Sequence, residues 1–253
     1  MPLDLLVFGP HPDDIEIGLG GTVARHVARG LAVGLCDLTA GELGSNGTPE
    51  ERRAEAAAAA RVLGVAWREN LGWPDGGIGS TPEHVRAAAA FIRRYRPRVV
   101  AVPYRHDRHP DHVSASDTLT RAVFNAGLRR VDAGGDAWRP DWICYYFIND
   151  SAPPSFLVDV SETYALKRQA LECYASQFAP AGPDAVATRL TASSFRQLVE
   201  SRDAQFGAQA GVAFAEGVVV REPVVRSSLL RAERASGSER VARTERGVRG
   251  PRE

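Results

Sequence analysis

The sequence predicts an α/β fold: a mainly parallel sheet with helices on both faces. Short apolar runs alternate with helical stretches over roughly the first 130 residues, as expected of parallel strands joined by crossover helices. Two of those runs are followed at once by clusters of His and Asp, and ligands of such sheets bind beyond the carboxyl ends of the strands. The 253 residues, 44% hydrophobic and 25% charged, suit one large domain with a sizeable core.

The elements follow in order. Residues 3–9 (LDLLVFG) form a buried-strand run stopped by Gly-Pro. A helix spans about 15–29, with Gly30 just past its end. Residues 31–37 (LAVGLCD) give a second strand, and a Gly/Ser/Asn-rich loop covers 41–48. Thr48-Pro49-Glu50-Glu51 is a capping box with proline at the first helical position. The Ala-rich helix it opens ends at Leu63-Gly64, and residues 66–71 are a third strand. A turn-rich loop, WPDGGIGS, precedes a helix from Thr81-Pro82 to about Tyr95. Residues 98–103 (RVVAVP) are a fourth strand, followed by YRHDRHPDH and a helix over about 111–128. Strands at 142–148 and 156–160, a helix over 161–176, a last helix over 191–206 and a late strand at 213–220 complete the reading. Residues 1–230 are expected as one domain. Residues 231–253 lack apolar periodicity and read as a disordered tail.

Composition narrows the function classes. Lys+Arg and Asp+Glu are 31 each, giving no net charge, so neither nucleic acid nor a membrane surface is an expected partner. Cys36, Cys144 and Cys173 lie far apart without a CxxC and suit small core residues better than a disulfide framework. The chain shows no leader and no apolar run of spanning length, which favours the cytoplasm.

Two motifs carry chemistry: His11-Pro12-Asp13-Asp14 after the first strand and His109-Pro110-Asp111-His112 after the fourth. His11, Asp14 and His112 would supply two imidazoles and a carboxylate, a ligand set for zinc or a similar divalent ion. Asp13 would then be free to act on water that the metal acidifies. A competing use of Asp13 and Asp14 is capping of the next helix.

At these motifs the chain resembles the PIG-L/LmbE-like family of zinc-dependent N-acetylglucosaminyl deacetylases. The likeness runs through GPHPDDIEIGLGGT and RHPDH, and covers roughly residues 3–225. Within that family the chain is most similar to the bacillithiol-biosynthesis deacetylases, through CDLTAGELGSNGT, NLGWPDGGI and YYFIND. The resemblance implies a Rossmann-like, LmbE-like sheet, one zinc ion (with iron or another divalent ion as alternatives) and a homo-oligomer. It places the metal ligands on His11, Asp14 and His112 and the general base on Asp13. His109 would hold the oxyanion or serve as acid to the leaving amine, with Asp111 orienting it. Some relatives have a tyrosine two residues before that histidine; Asp107 stands there instead.

The expected substrate is a small amino-sugar conjugate, N-acetylglucosaminyl malate by resemblance. The alternatives are a chito-oligosaccharide, a mycothiol-type precursor, or a non-catalytic sugar- or nucleotide-binding module. The candidate substrate contacts are Arg52, Arg139, Glu42, Asn46 and Arg108. Arg52 could instead form a surface i, i+3 pair with Glu55. An arginine at 139 would suit malate carboxylates, or be only a loop arginine.

Overall fold

The structure, a computed structural model, describes residues 2–225; the segment read as a tail, 231–253, lies outside the described residues. The elements are β1 (Leu5–Gly9), α1 (Asp14–Ala28), β2 (Val33–Thr39), α2 (Pro49–Val62), β3 (Trp67–Trp73), α3 (Pro82–Tyr95), β4 (Val99–Pro103), α4 (Pro110–Ala126), β5 (Trp142–Tyr146), β6 (Phe156–Asp159), α5 (Tyr164–Glu172), α6 (Ala175–Phe178), α7 (Ser193–Ala210) and β7 (Ala215–Val219). Residues 2–221 pack as one unit; residues 222–225 are exposed and irregular.

The seven strands form one sheet in the order β3-β2-β1-β4-β5-β7-β6. The first five are parallel to their neighbours, and β7 runs antiparallel to both β5 and β6. Side chains alternate across the sheet as the strand period requires. Leu5 and Val7 join one core with α1, α2, α5 and the start of α7. Leu6 and Phe8 join a second core with α3 and α4. The α/β expectation therefore holds, helices on both faces included.

One predicted helix is two. Tyr174, at φ −87 and ψ 60, breaks the 161–176 stretch into α5 and α6. Tyr174 is fully buried, and beyond it the Ser176 N–H and hydroxyl both donate to Glu55 of α2 at 2.7 Å. Tertiary packing overrides helix continuation here.

Helix α1 lies close against the sheet because its residue 18 is glycine. A Cβ there would come within 2.2 Å of the Tyr146 ring. The helix also kinks at Leu19, whose φ is −134. Lys167, the only lysine, anchors this region. Its ammonium is fully buried, 2.6 Å from Asp203 and 2.7 Å from Glu216. Glu216 also accepts the N–H groups of Gly21 and Thr22. Arg202, whose Nε reaches Asp203, donates to the carbonyls of Ile17, Phe147 and Ile148. This buried network joins α1, α5, α7 and β7.

Removing one partner of a buried ion network leaves charge without compensation, at a cost of about 3–5 kcal/mol. Lys167→Met keeps most of the volume and deletes the charge. It should lower the stability of the chain by that amount in chemical denaturation; a midpoint equal to wild type would contradict the role given to this cluster.

Candidate metal centre

Strands β1 and β4 are neighbours, and the connections from them run in opposite directions, to β2 and to β5. Their carboxyl ends therefore open a crevice at the point where the strand order reverses. The turn after β1 is fixed by Thr39, whose N–H and hydroxyl both donate to the Pro10 carbonyl, at 3.1 and 3.0 Å. Asp13 stands at the N-cap of α1 with φ 117, and its side chain makes no capping hydrogen bond. This excludes the reading of Asp13 as a plain helix cap. A non-glycine residue held at such a φ is strained, a cost that surrounding structure must impose. The turn after β4 ends in His109, the N-cap of α4, with Pro110 next.

The two turns meet at one carboxylate oxygen. Asp14 Oδ2 is 3.1 Å from His11 Nδ1 and 3.2 Å from His112 Nε2. The ligand atoms of His11, Asp14 and His112 all lie within 4.8 Å of one another, and all three residues are buried. The other nitrogen of each ring faces a carboxylate. His11 Nε2 lies 3.0 Å from Asp75 and 3.4 Å from Asp111, while His112 Nδ1 lies 3.1 Å from Asp107. Two imidazoles backed by carboxylates, with the Asp14 carboxylate between them, form a donor set that fits a divalent ion. A second triple, His11, His109 and Asp111, shares His11 but includes the exposed His109.

Electrostatics follow the same arrangement. Burial opposes charge on His11, yet its bonds to Asp111, Asp14 and Asp75 hold its pKa well above the ordinary value. Burial likewise opposes charge on His112, but Asp14 and Asp107 raise it to about 9. Asp14 is held far below the usual carboxylate range, against its burial, by His112 and His11. The centre thus carries an excess of carboxylate that calls for positive charge.

Asp13 differs from its neighbour. Burial pushes its pKa up to about 7, against the pull of Arg52. The Arg52 guanidinium lies 3.2 Å from Asp13 Oδ2 and donates to the carbonyls of Pro12 and Gly41, at 2.7 and 3.0 Å. Residue 41 must be glycine: its φ is +68, and a Cβ would fall 1.9 Å from the Arg52 guanidinium. Arg52 is therefore buried and committed to the Asp13 turn, and the surface pair with Glu55 does not form, since Glu55 is taken by Ser176.

His109 packs edge-on to His11 and stacks on His112, with ring centroids 4.8 and 4.7 Å away. Its Nδ1 accepts the backbone N–H of Asp111 at 3.2 Å, which puts the proton of the neutral ring on Nε2. Burial, with the charges on His112 and His11, lowers its pKa. The hydrogen bond expected to orient His109 comes from the Asp111 backbone, while the Asp111 carboxylate accepts from Gly76 N–H at 2.8 Å and faces His11. Only its backbone reaches His109.

The cavity above these residues has a volume of about 520 Å³, and Asp13, Arg52, Asp75, Arg108, His109 and Arg189 are among its lining residues. Three expected substrate contacts are not among them. Arg139 precedes β5 and lies over the Phe124 ring near the end of α4, at the opposite edge of the sheet, because β5 runs parallel to β4. Asn46 spends its side chain on the backbone of Val186, at 2.9 and 2.8 Å. Glu42 accepts the N–H of Asp75 at 2.8 Å. Both loop residues thus spend their side chains on backbone groups of neighbouring loops.

The sequence reading missed Asp75, taken as a turn residue, along with Asp107, Asn149 and Arg189. Asp75 lies in a Pro-Asp-Gly-Gly turn, which masks its second use. Asp107 was signalled only by its place beside the second histidine motif.

A family model described as PIG-L, GlcNAc-PI de-N-acetylase, matches residues 6–123. The chain is 31% identical over 189 residues to the diacetylchitobiose deacetylase of Thermococcus kodakarensis, covering 69% of this chain and 70% of that one. It is 36% identical over 173 residues to the 1D-myo-inositol 2-acetamido-2-deoxy-alpha-D-glucopyranoside deacetylase of Geodermatophilus obscurus, spanning 54% of this chain and 56% of that relative. Among solved structures it is similar to the conserved protein TT1542 from Thermus thermophilus. The TM-score is 0.83 at 43% identity, over 91% of this chain and 100% of that one. The chain belongs to the PIG-L family.

Because Arg52 opposes the burial of Asp13, Arg52→Met should raise the Asp13 pKa further in metal-free protein. Carbon-13 NMR of labelled aspartate would show a titration midpoint above the wild-type value of about 7. An unchanged or lower midpoint would count against this assignment.

Proposed function

We infer that the protein is a metal-dependent hydrolase that removes the acetyl group from an N-acetylglucosaminyl conjugate. The observation that carries this reading is the carboxylate of Asp13, outside the candidate ligand triple His11, Asp14 and His112 but lining the same cavity. A divalent ion held by that triple, zinc by the chemistry of its donors, would supply Lewis acidity for the amide carbonyl and acidify water. Asp13 takes the proton of the attacking water. Its pKa near 7 suits it both to accept that proton and to release it near neutrality. His109 donates from Nε2 to the oxyanion as a neutral imidazole, so no prior protonation is required. Asp13 then delivers its proton to the departing amine, giving acetate and the free glucosamine nitrogen. The N-termini of α1 and α4 both open on this crevice, and their dipoles favour the developing negative charge.

Two guanidinium groups bear on the remainder of the substrate. Arg108 has no partner among the described residues, and Arg189 has only the Phe195 ring, 5.6 Å away. Both line the cavity. Unpaired arginines at a cavity mouth suit carboxylates, which supports N-acetylglucosaminyl malate, the bacillithiol precursor, as substrate. A second reading, diacetylchitobiose, is favoured by the relative of that specificity matching 69% of the chain. Among the described residues no helix is long and apolar enough to cross a membrane.

Purified protein should release acetate from such conjugates and lose this activity on chelation. Asp13→Asn should reduce kcat by about 10²–10⁴-fold while retaining the metal. The sign of the pH dependence is set by Asp13, which works ionised. Activity should therefore rise with pH through its pKa, at about 7 or lower once a cation is bound, and this acidic limb should be absent from the residual activity of Asp13→Asn. Full turnover in that variant would remove Asp13 from the mechanism.

The substrate assignment has its own test. Arg108→Ala and Arg189→Ala should each raise KM for N-acetylglucosaminyl malate by about tenfold or more, the loss of one charge-assisted contact, and leave KM for diacetylchitobiose nearly unchanged. Equal effects on both substrates would exclude the anionic reading.

A further inference from the structure

Asp107 occupies a position that the catalytic reading leaves unused. Its side chain is 4% exposed, and its Oδ1 lies 3.1 Å from His112 Nδ1. The same oxygen accepts the backbone N–H of His109 at 2.8 Å and the Asn149 side-chain amide at 3.0 Å. Its second oxygen accepts the Asn149 backbone N–H at 3.0 Å. One carboxylate therefore grips three things at once: the ring of one candidate ligand, the backbone of the neighbouring histidine, and the loop that follows β5. The Asn149 amide in turn lies 3.5 Å from His112 Nδ1, so among the described residues the polar partners of this nitrogen are Asp107 and Asn149.

This geometry has a definite chemical effect. A carboxylate beside Nδ1 holds the ring proton on that nitrogen. Nε2, which lies 3.2 Å from Asp14, is then the nitrogen left to bind an ion in place of its proton. Carboxylate support of this kind fixes the tautomer of a ligating histidine, holds its ring in place and raises its basicity. His11 shares its outer nitrogen between Asp75 and Asp111, so removal of one carboxylate leaves the other. Among the described residues, His112 has the single carboxylate of Asp107 at its Nδ1.

We propose that Asp107 is the positioning residue of the metal centre: it locks the His112 ring in its ligating tautomer and, through Asn149 and the His109 backbone, sets how tightly the ion is retained. The proposal rests on the metal-centre reading given above. Asp107 does not touch substrate, and its role is exerted through His112.

The test is metal retention by the full-length protein, measured by competition with a chromophoric chelator using Zn²⁺, and by the visible d–d spectrum after loading with Co²⁺. Wild type should bind one equivalent, and His112→Ala should lose it. Asp107→Asn, nearly isosteric, should bind about 10- to 100-fold more weakly and show an altered Co²⁺ spectrum. Asp107→Glu, which keeps the charge, should recover part of the affinity. If Asp107→Asn fails to fold, Asn149→Ala removes one donor to Asp107 and should show a smaller loss in the same direction. Wild-type affinity and spectrum in Asp107→Asn, or in Asn149→Ala where that variant is used, would overturn the proposal while leaving the metal centre standing. Failure of the wild type to bind, or equal binding by His112→Ala, would instead overturn the metal centre itself.

Discussion

A single oxygen of Asp14 is the point on which the site is built. Two turns nearly a hundred residues apart in sequence bring His11 and His112 to it, at 3.1 and 3.2 Å. They can do so because β1 and β4 are adjacent parallel strands. The crossover connections leave from them in opposite directions, which opens a gap between their carboxyl ends. The crevice follows from topology, and the chemistry from which residues the two turns place there.

Keeping that chemistry in order takes more carboxylates than the ligand set contains. Asp75 and Asp111 hold His11, and Asp107 holds His112. Burying this much like charge is costly unless each group is paired and hydrogen-bonded. The structure meets the requirement with backbone N–H groups from Leu43, Gly76, His109 and Asn149. The loops that look irregular in sequence are thus the source of the donors that let the acids coexist. Asp13 is the exception: strained in backbone, raised in pKa and tethered by Arg52. Its burial raises its pKa while His112 and His11 lower that of Asp14, so two adjacent aspartates are driven in opposite directions.

A second set of buried charges lies deeper. Lys167, Asp203, Glu216 and Arg202 tie the end of the sheet to α1 and α7. Arg202 donates to the carbonyls of Ile17 and Ile148, two residues that line the cavity. The floor of the site is thereby joined to the antiparallel end of the sheet, the part of the fold that repeating β-α units do not generate.

The sequence by itself determined the alternation of strands and helices, the capping box at Thr48 and the two histidine motifs, because these depend on local periodicity, on residues three apart and on short spacings. It also made His11, Asp14, Asp13 and His112 legible as a group, since their residue types and their places after strands already imply a shared edge. Only the tertiary structure decided which arginine serves what. Arg52 turned out buried beneath Asp13, Arg139 lay at the far end of β5, and Arg189 entered the cavity from a loop without any motif. Nor could the sequence show that Asp107 and Asp75 back the histidines, because an aspartate in a turn reads the same whether it caps a backbone or faces an imidazole. The difference is physical: local propensity is written within a few neighbouring residues, whereas partners of a buried charge are chosen by chain segments that meet only after the sheet has assembled.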